Sequence, residues 1–496
     1  MEASTLVGDW AVCVGSLHTP VRKIGLTDVF SVRSLHGAEA SWKLLGSDLL
    51  LIDRNQTILS IFDTSTLATG VLRGRISQLG FCDSPIWLVR GTQAGVRMPD
   101  SPLPIHAGPL PASVTTPEGF LDAYRGTQDF SVVLHDGNLA VARPPLSESL
   151  NFGTSPDAEK FELCLSRASS TGYPATPAFF TVLHDCWIVD GMIAVTRDGH
   201  VLHETTQFPG LEPLWDTDYH LLGSRITALE QLVSVTSHRP TTTIEMPVFL
   251  FSTLKLGYGH WLGQSVTNWV FLDWIREAAP DIANQLALGI NGGVTNEDFR
   301  LISLQLLGVD NPVLPIPKGI VHCKKLIVPS FHRSHSHHWP GMGKPFRVMG
   351  ENALRMLKDP PKPGRIYASR RGQLRSFSED AKIEAVLQKH GFSSLIGGTI
   401  PFVEQVATYA MAEAVFGIYG SNMCNISFCP KDSVTIEVFD EMHHDPFWEY
   451  YLANASDLRY CYIITAVSSE LKDRGFQERT TDLPPDILDE LLSKIL

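Results

Sequence analysis

Between Gly364 and Asp440 the sequence alternates between short apolar runs and longer helical periods. RIYASR, FSSLI, AVFGI and VTIEVF read as strands. EDAKIEAVLQKHG and PFVEQVATYAMAEA carry helical spacing between them. Ser376 with Glu379 forms a capping-box pattern ahead of the first helix and Gly391 ends it; Pro401 falls in the first turn of the second. The turn YGSN then leads into a third predicted helix, MCNISFC. Consecutive parallel strands need a crossover, and helices serve as crossovers by covering the sheet faces. The stretch is therefore constrained to an α/β fold with a parallel sheet.

At 496 residues the chain is long enough for two or three domains. The formal net charge of −13 argues against nucleic acid as a partner, because phosphate-backbone binding needs a basic surface. It leaves room for one basic pocket, and Arg365, Arg370, Arg371 and Arg375 could make one. Eight cysteines, at 13, 82, 164, 186, 323, 424, 429 and 461, form no C-x-x-C pair, which fits free thiols in a reducing compartment. The first residues show no basic segment followed by a long apolar one, and no run has the length of a membrane span. The expected location is cytoplasmic, with contact at the inner face of the cell membrane left open.

Residues 1–150 read as a β-rich accessory module, with short apolar runs punctuated by Gly, Asp, Asn and Ser. Residues 151–245 are transitional, with a strand, an Asp198-Gly199 turn, a second strand and a short helix at RITALEQLVSVTS. From Glu245 strand and helix alternate. EMPVFLFST is a buried strand, followed by a helix beginning near His260, in which His260, Gln264 and Asn268 share one stripe while Trp261, Leu262, Trp269 and Leu272 face the core. LALGI, PVLPIP and KKLIVPS are further strands, and NEDFRLISLQLLGV is a helix capped by Asn296. The cluster His332, His335, His337 and His338 lies in a Ser/Pro/Gly-rich loop without a second ligand group, so a polar loop is expected there and no metal site. A helix at 346–358 precedes the linker DPPKPG. The expected regions are 1–150, an acceptor-side region with a first Rossmann-like domain at 151–358, a donor domain at 359–465, and a helical tail at 466–496 that ends in LPPDILDELLSKIL.

Two doubly wound domains in sequence suggest a cleft, with ligands at the carboxyl ends of the strands. The turn Tyr419, Gly420, Ser421, Asn422 lies at such an end and opens a helix, where free N–H groups favour a phosphate. Arg370 and Arg371 can grip a diphosphate. Glu437, one strand later, could accept hydrogen bonds from ribose hydroxyls.

Taken together these motifs resemble glycosyltransferase family 61, whose bacterial members include capsular polysaccharide biosynthesis proteins. The matching residues are Ser369-Arg370-Arg371, Gly391-Phe392, Phe402-Val403-Glu404-Gln405, the run Gly417 to Asn425, Thr435-Ile436-Glu437 and, upstream, Gly259-His260-Trp261-Leu262. The resemblance spans about residues 180–440. Tyr419 stands where the family has His. The resemblance implies a GT-B fold, a pair of Rossmann-type domains facing a cleft, and an inverting, metal-independent transferase. It further implies a nucleotide-sugar donor, UDP-linked by expectation, with no other cofactor, and a glycan or lipid-linked glycan acceptor in cell-surface polysaccharide synthesis (capsule, exopolysaccharide or lipopolysaccharide). His260 is the candidate base, with Asp273 and Glu404 as alternatives. Arg370, Arg371, Tyr419, Gly420, Ser421, Asn422, Asn425, Glu437 and Glu404 are the donor-side residues. The alternative function is a nucleotide-sugar or glycan-binding protein without catalysis. Self-association is compatible with either.

Overall fold

The computed structural model describes residues 110–205 and 242–496 apart from short segments, chiefly 253–256, 292–297, 331–339, 442–447 and 468–480; within 8–106 it describes the backbone of the strands alone. The chain divides into two compact units. One comprises Met1–His106, Asp198–Leu202 and Leu211–Thr242; the other comprises Ala107–Arg197, His203–Gly210 and Thr243–Leu496. In the first unit, eight strands between Gly8 and Arg90 form one antiparallel sheet. The helix expected at RITALEQLVSVTS and the histidine loop lie outside the described residues, as does Asn296 itself.

The second unit is mixed α/β and holds two sheets whose central pairings are parallel. The carboxyl-terminal sheet contains, in chain order, Gly364–Ser369, Phe392–Ile396, Ala412–Ile418, Val434–Asp440 and Arg459–Thr465. In space the order is second, first, third, fourth, fifth, every pairing is parallel, and the short strand Leu150–Asn151 is added beyond the fifth. Val434–Asp440 is buried along its whole length, as a strand covered on both faces must be. The edge strand Phe392–Ile396 exposes Ser393 and Ser394. This is a doubly wound order in which the chain reverses direction between the first and third strands.

The other sheet carries Val248–Leu250, Ala287–Asn291, Val313–Ile316 and Ile320–Pro329 in parallel, arranged third, second, first, fourth. The long strand Ala178–Val189 continues it antiparallel to Ile320–Pro329, and Phe130–His135 pairs with Ala178–Val189 in turn. The helix after Val248–Leu250 begins at Tyr258. Its first part departs from α geometry: Trp261–Ser265 is a π turn and Val266–Asn268 a 3₁₀ turn, before the regular helix Trp269–Ala278. That break removes the expected stripe. Gln264 and Asn268 are buried, and Asn268 donates its side-chain amide to the Phe251 carbonyl at 3.0 Å. Trp261, Leu262, Trp269 and Leu272 face the core as their spacing predicts.

Two local expectations are corrected. The helix at 299–306 is capped by Asp298, which accepts the Arg300 N–H. The Ser376/Glu379 capping box does not form. The helix starts at Asp380 with no side-chain cap, because the preceding segment is bound elsewhere: buried Phe377 pairs with Thr481, and Ser378 bonds to Asp482. That anchoring, with Lys389 and His390 on Asp489, fastens the helix Pro485–Ile495 to this sheet's outer helix.

The division between units falls at His106, and residues 107–150 are built into the second unit, since Phe130–His135 and Leu150–Asn151 each join one of its sheets. The unit is not divided at 358. The helix Gly343–Met356 lies between the two sheets' helices: Phe346 packs edge-on against Phe428 at 5.6 Å, and Asn352 donates to the Leu306 carbonyl. Both sheets therefore share one hydrophobic core. Among the described residues no helix is long and apolar enough to cross a membrane.

Candidate functional site

Arg370 leaves the carboxyl end of Gly364–Ser369, and Tyr419 and Gly420 leave that of Ala412–Ile418. These are the two strands between which the sheet reverses, so the segments that follow them splay apart and leave room for a ligand. Gly420 has φ +128°, a backbone conformation that side-chain-bearing residues rarely adopt. A Cβ there would lie 2.8 Å from Arg370 Nη1 and 3.0 and 3.1 Å from the two terminal nitrogens of Arg375. Two guanidinium groups thus rest on one glycine. Burial, with the charge of Arg375 alongside, lowers the pKa of Arg370 to about 10. Bringing two cations together at a buried turn has an electrostatic cost that a bound anion offsets.

Arg375 is itself held. Its backbone is left-handed, at φ +61°, and its guanidinium lies 5.1 Å from the centre of the Tyr419 ring. Tyr419 is buried, stacks on Phe439 and donates its hydroxyl to Asp440 at 3.0 Å. Its hydroxyl therefore points into the protein, and its ring supports Arg375.

Arg371 goes elsewhere. It is half exposed and forms ion pairs with Asp380 and Glu384 on the neighbouring helix. The strand ends at Ser369 and the chain turns, Gln373 N–H bonding to the Arg370 carbonyl at 2.8 Å, so the Arg370-Arg371 pair is split between the Gly420 turn and the helix. Glu437 is also placed differently from the ribose contact expected. It is fully buried, accepts the Tyr460 hydroxyl at 2.8 Å and faces the carboxyl of Glu449. A ribose hydroxyl does not reach a carboxyl sealed beneath a turn.

Glu449, the second residue of helix Trp448–Ala455, was not singled out in the sequence. Its carboxyl accepts the N–H of Gly420 and lies in the field of Arg375. Desolvation raises its pKa to about 7, against which those two contacts work. The segment expected to open an α-helix after the turn is a 3₁₀ helix of six residues, Met423–Phe428, so little helix dipole is available and the arginines supply most of the positive charge.

The His260 helix reaches the same place. A Cβ on Gly259 would meet Cys424 Sγ at 3.1 Å and Ser421 Oγ at 3.2 Å, so the helix start lies directly on the turn. Tyr258 donates its hydroxyl to Asn425 Oδ1 at 2.6 Å, and Gln405 donates to that hydroxyl at 2.7 Å and to Asn425 at 3.1 Å. Asn425 in turn donates to the Asn422 carbonyl. Asn425 is thus a tie between the two sheets' loops. The half-buried His260 ring stands edge-on to Trp448, 5.0 Å between centres and one residue from Glu449. These segments touch within one compact unit. Of the other candidates, Ser421 is exposed beside Gly259, Asn422 is half-buried, Glu404 is exposed on its helix, and Asp273 is ion-paired with Lys344. Among the described residues, no group of three or more His, Cys, Asp or Glu is placed to hold a metal ion.

The segment from Tyr258 to Ile436 contains the His260 helix start, Arg370, Arg375 and the Gly420 turn, and it is over residues 258–436 that the chain matches the family model described as Glycosyltransferase 61. Over this segment the chain is similar to glycosyltransferase family 61. The match takes in the first motif, at Gly259, and begins later than the span of about 180–440 given to the resemblance. The match supports a transferase with a sugar donor and an acceptor. Comparison with curated proteins returned no match. Among solved structures, the chain is similar to one described as the crystal structure of a psychrophilic marine protease MP inhibitor, at 14% identity and a TM-score of 0.15, over 18% of this chain and 99% of that one.

Proposed function

We propose that the protein is an inverting GT-B-type glycosyltransferase that takes a sugar from a nucleotide-sugar donor and needs no bound metal. The observation that carries this reading is the pair of guanidiniums, Arg370 and Arg375, resting on Gly420 where the parallel sheet reverses. A diphosphate ester has the charge and the spread of oxygens for two guanidiniums. In the displacement, His260 takes the proton of an acceptor hydroxyl, that oxygen bonds to the anomeric carbon, and the bond from that carbon to the diphosphate breaks. Negative charge gathers on the departing phosphate, where Arg370 and Arg375 stabilise it. Asn422 and Ser421 line the same turn. A glycan acceptor and a role in cell-surface polysaccharide synthesis extend the family reading.

A second reading is a nucleotide-sugar-binding protein without turnover. It draws on Tyr419: the hydroxyl at the position of the family's His is held by Asp440, so no side chain from that position is offered to a phosphate. The test is a panel of sugar nucleotides with glycan acceptors, followed by release of nucleoside diphosphate. Transfer supports the first reading. Binding without release under every acceptor condition supports the second, and absence of binding contradicts both.

A further inference from the structure

Beneath the Gly420 turn lie two carboxyls with almost no solvent contact, Glu437 on the strand Val434–Asp440 and Glu449 at the start of helix Trp448–Ala455. Glu437 Oε2 accepts the Tyr460 hydroxyl, whereas the fully buried Oε1 meets no N–H or O–H donor among the described residues. What it faces is the Glu449 carboxyl. Two ionised carboxylates in contact without water repel each other strongly, and a single proton between them turns that repulsion into a hydrogen bond.

The surroundings decide where the proton resides. Glu449 has the Gly420 N–H, its own backbone N–H at a helix start, and Arg375 to stabilise a negative charge. Glu437 has the Tyr460 hydroxyl alone. Among the described residues, besides Arg375 and Glu437, the titratable groups near Glu449 include Cys424 on the 3₁₀ helix and Tyr460 on the last strand; burial raises the pKa of both, which keeps them neutral. Glu437 is accordingly the protonated donor and Glu449 the carboxylate.

We propose that Glu449 is a positioning residue: sharing one proton with Glu437, it keeps a negative charge beneath the turn that fixes the Gly420 amide and Arg375 to receive the donor's diphosphate. This rests on the anion role proposed for Arg370 and Arg375. It has a consequence that packing alone does not have. An anion that takes up the charge of Arg375 withdraws support from the Glu449 carboxylate, so its proton affinity rises. Binding is then accompanied by uptake of a fraction of a proton near neutral pH, and affinity falls as pH rises through that range.

The probe is inorganic sulfate, a dianion with no titration of its own near neutral pH. Binding is followed by calorimetry in buffers of different ionisation enthalpy. Wild-type protein is expected to take up protons. E449Q, which keeps a side-chain carbonyl to accept the Gly420 N–H, loses that uptake and its pH dependence; E437Q, which keeps a donor toward Glu449, retains both. Unfolding curves establish that each variant is folded. A second measurement needs no variant: at neutral pH, where exposed carboxyls are ionised, the infrared spectrum of the wild type should keep a protonated-carboxyl band, and its absence overturns the pair. Sulfate binding without proton uptake, equal uptake in E449Q, or no sulfate binding at all overturns the coupling. If sulfate binds with uptake but no sugar nucleotide binds, the pair stands and the donor reading fails. If a sugar nucleotide binds and sulfate shows no uptake, the donor reading stands and the pair fails.

Discussion

Replacing Gly420 with Ala separates backbone strain from loss of the proposed ligand. At φ +128° an L-residue is strained, at a cost of about 1–3 kcal/mol. The new Cβ would also lie 2.8 Å from Arg370 Nη1 and about 3 Å from the ends of Arg375. These atoms are the tips of flexible side chains, so they move aside before the backbone does. Each displaced charge-assisted hydrogen bond to an anion is worth about 1.5–3 kcal/mol. Losing one lowers affinity roughly tenfold to a hundredfold. Gly308 supplies the control. It has φ +65° and no atom within 4 Å of a Cβ, so G308A carries a strain cost of about 1–2 kcal/mol and nothing else. Urea unfolding and calorimetric titration with sulfate measure the two effects separately. Both variants should lose stability, and only G420A should lose affinity. A G420A protein that binds as tightly as G308A would refute the reasoning, because the guanidiniums would then not form the anion seat.

Three further outcomes follow from neighbouring residues. R371A should keep anion affinity, since Arg371 is occupied by Asp380 and Glu384; a loss comparable to that of R375A would restore it to the seat. Y258F removes the hydroxyl that bonds to Asn425 and Gln405 and should cost about 1–3 kcal/mol in urea unfolding, with stability unchanged as the contrary result. H260A should retain donor binding while turnover falls by roughly 10²- to 10⁴-fold; near-normal turnover moves the base elsewhere.

Stability should also depend on pH through Glu449. Its folded pKa is raised toward 7, so its contribution is full below the ordinary carboxylate range and is lost as pH rises through about 7. E449Q should flatten that part of the unfolding profile, and a profile identical to that of the wild type contradicts it.

Periodicity carried most of the carboxyl-terminal sheet. The apolar runs AVFGI and VTIEVF, the Gly391 stop and the Gly-Ser turn are local signals and lie where they were expected. Three features were hidden for physical reasons. The π turn at Trp261–Ser265 has no distinct residue pattern, so the polar stripe expected of Gln264 and Asn268 became a buried set. Adjacent arginines look equivalent in sequence, yet the chain turns after Ser369, with Arg370 at the Gly420 turn and Arg371 ion-paired to the helix, and Arg375, left-handed in backbone, joins Arg370. Glu449 gave no signal because its importance comes from Gly420, Arg375 and Glu437, all distant in sequence. The shared core could not be read either. The helix Gly343–Met356 exposes one face, as its period predicts, but its buried face packs on elements of both sheets, which stay in one compact unit.

The central claim is that Arg370 and Arg375, placed on Gly420, form the diphosphate seat of a sugar-nucleotide site. The most direct measurement is calorimetric titration of a sugar-nucleotide panel into the wild type, R370M and R375M, each shown to be folded. The account predicts that at least one sugar nucleotide binds the wild type and that both variants lose most of that affinity. Equal affinity in all three proteins would contradict it.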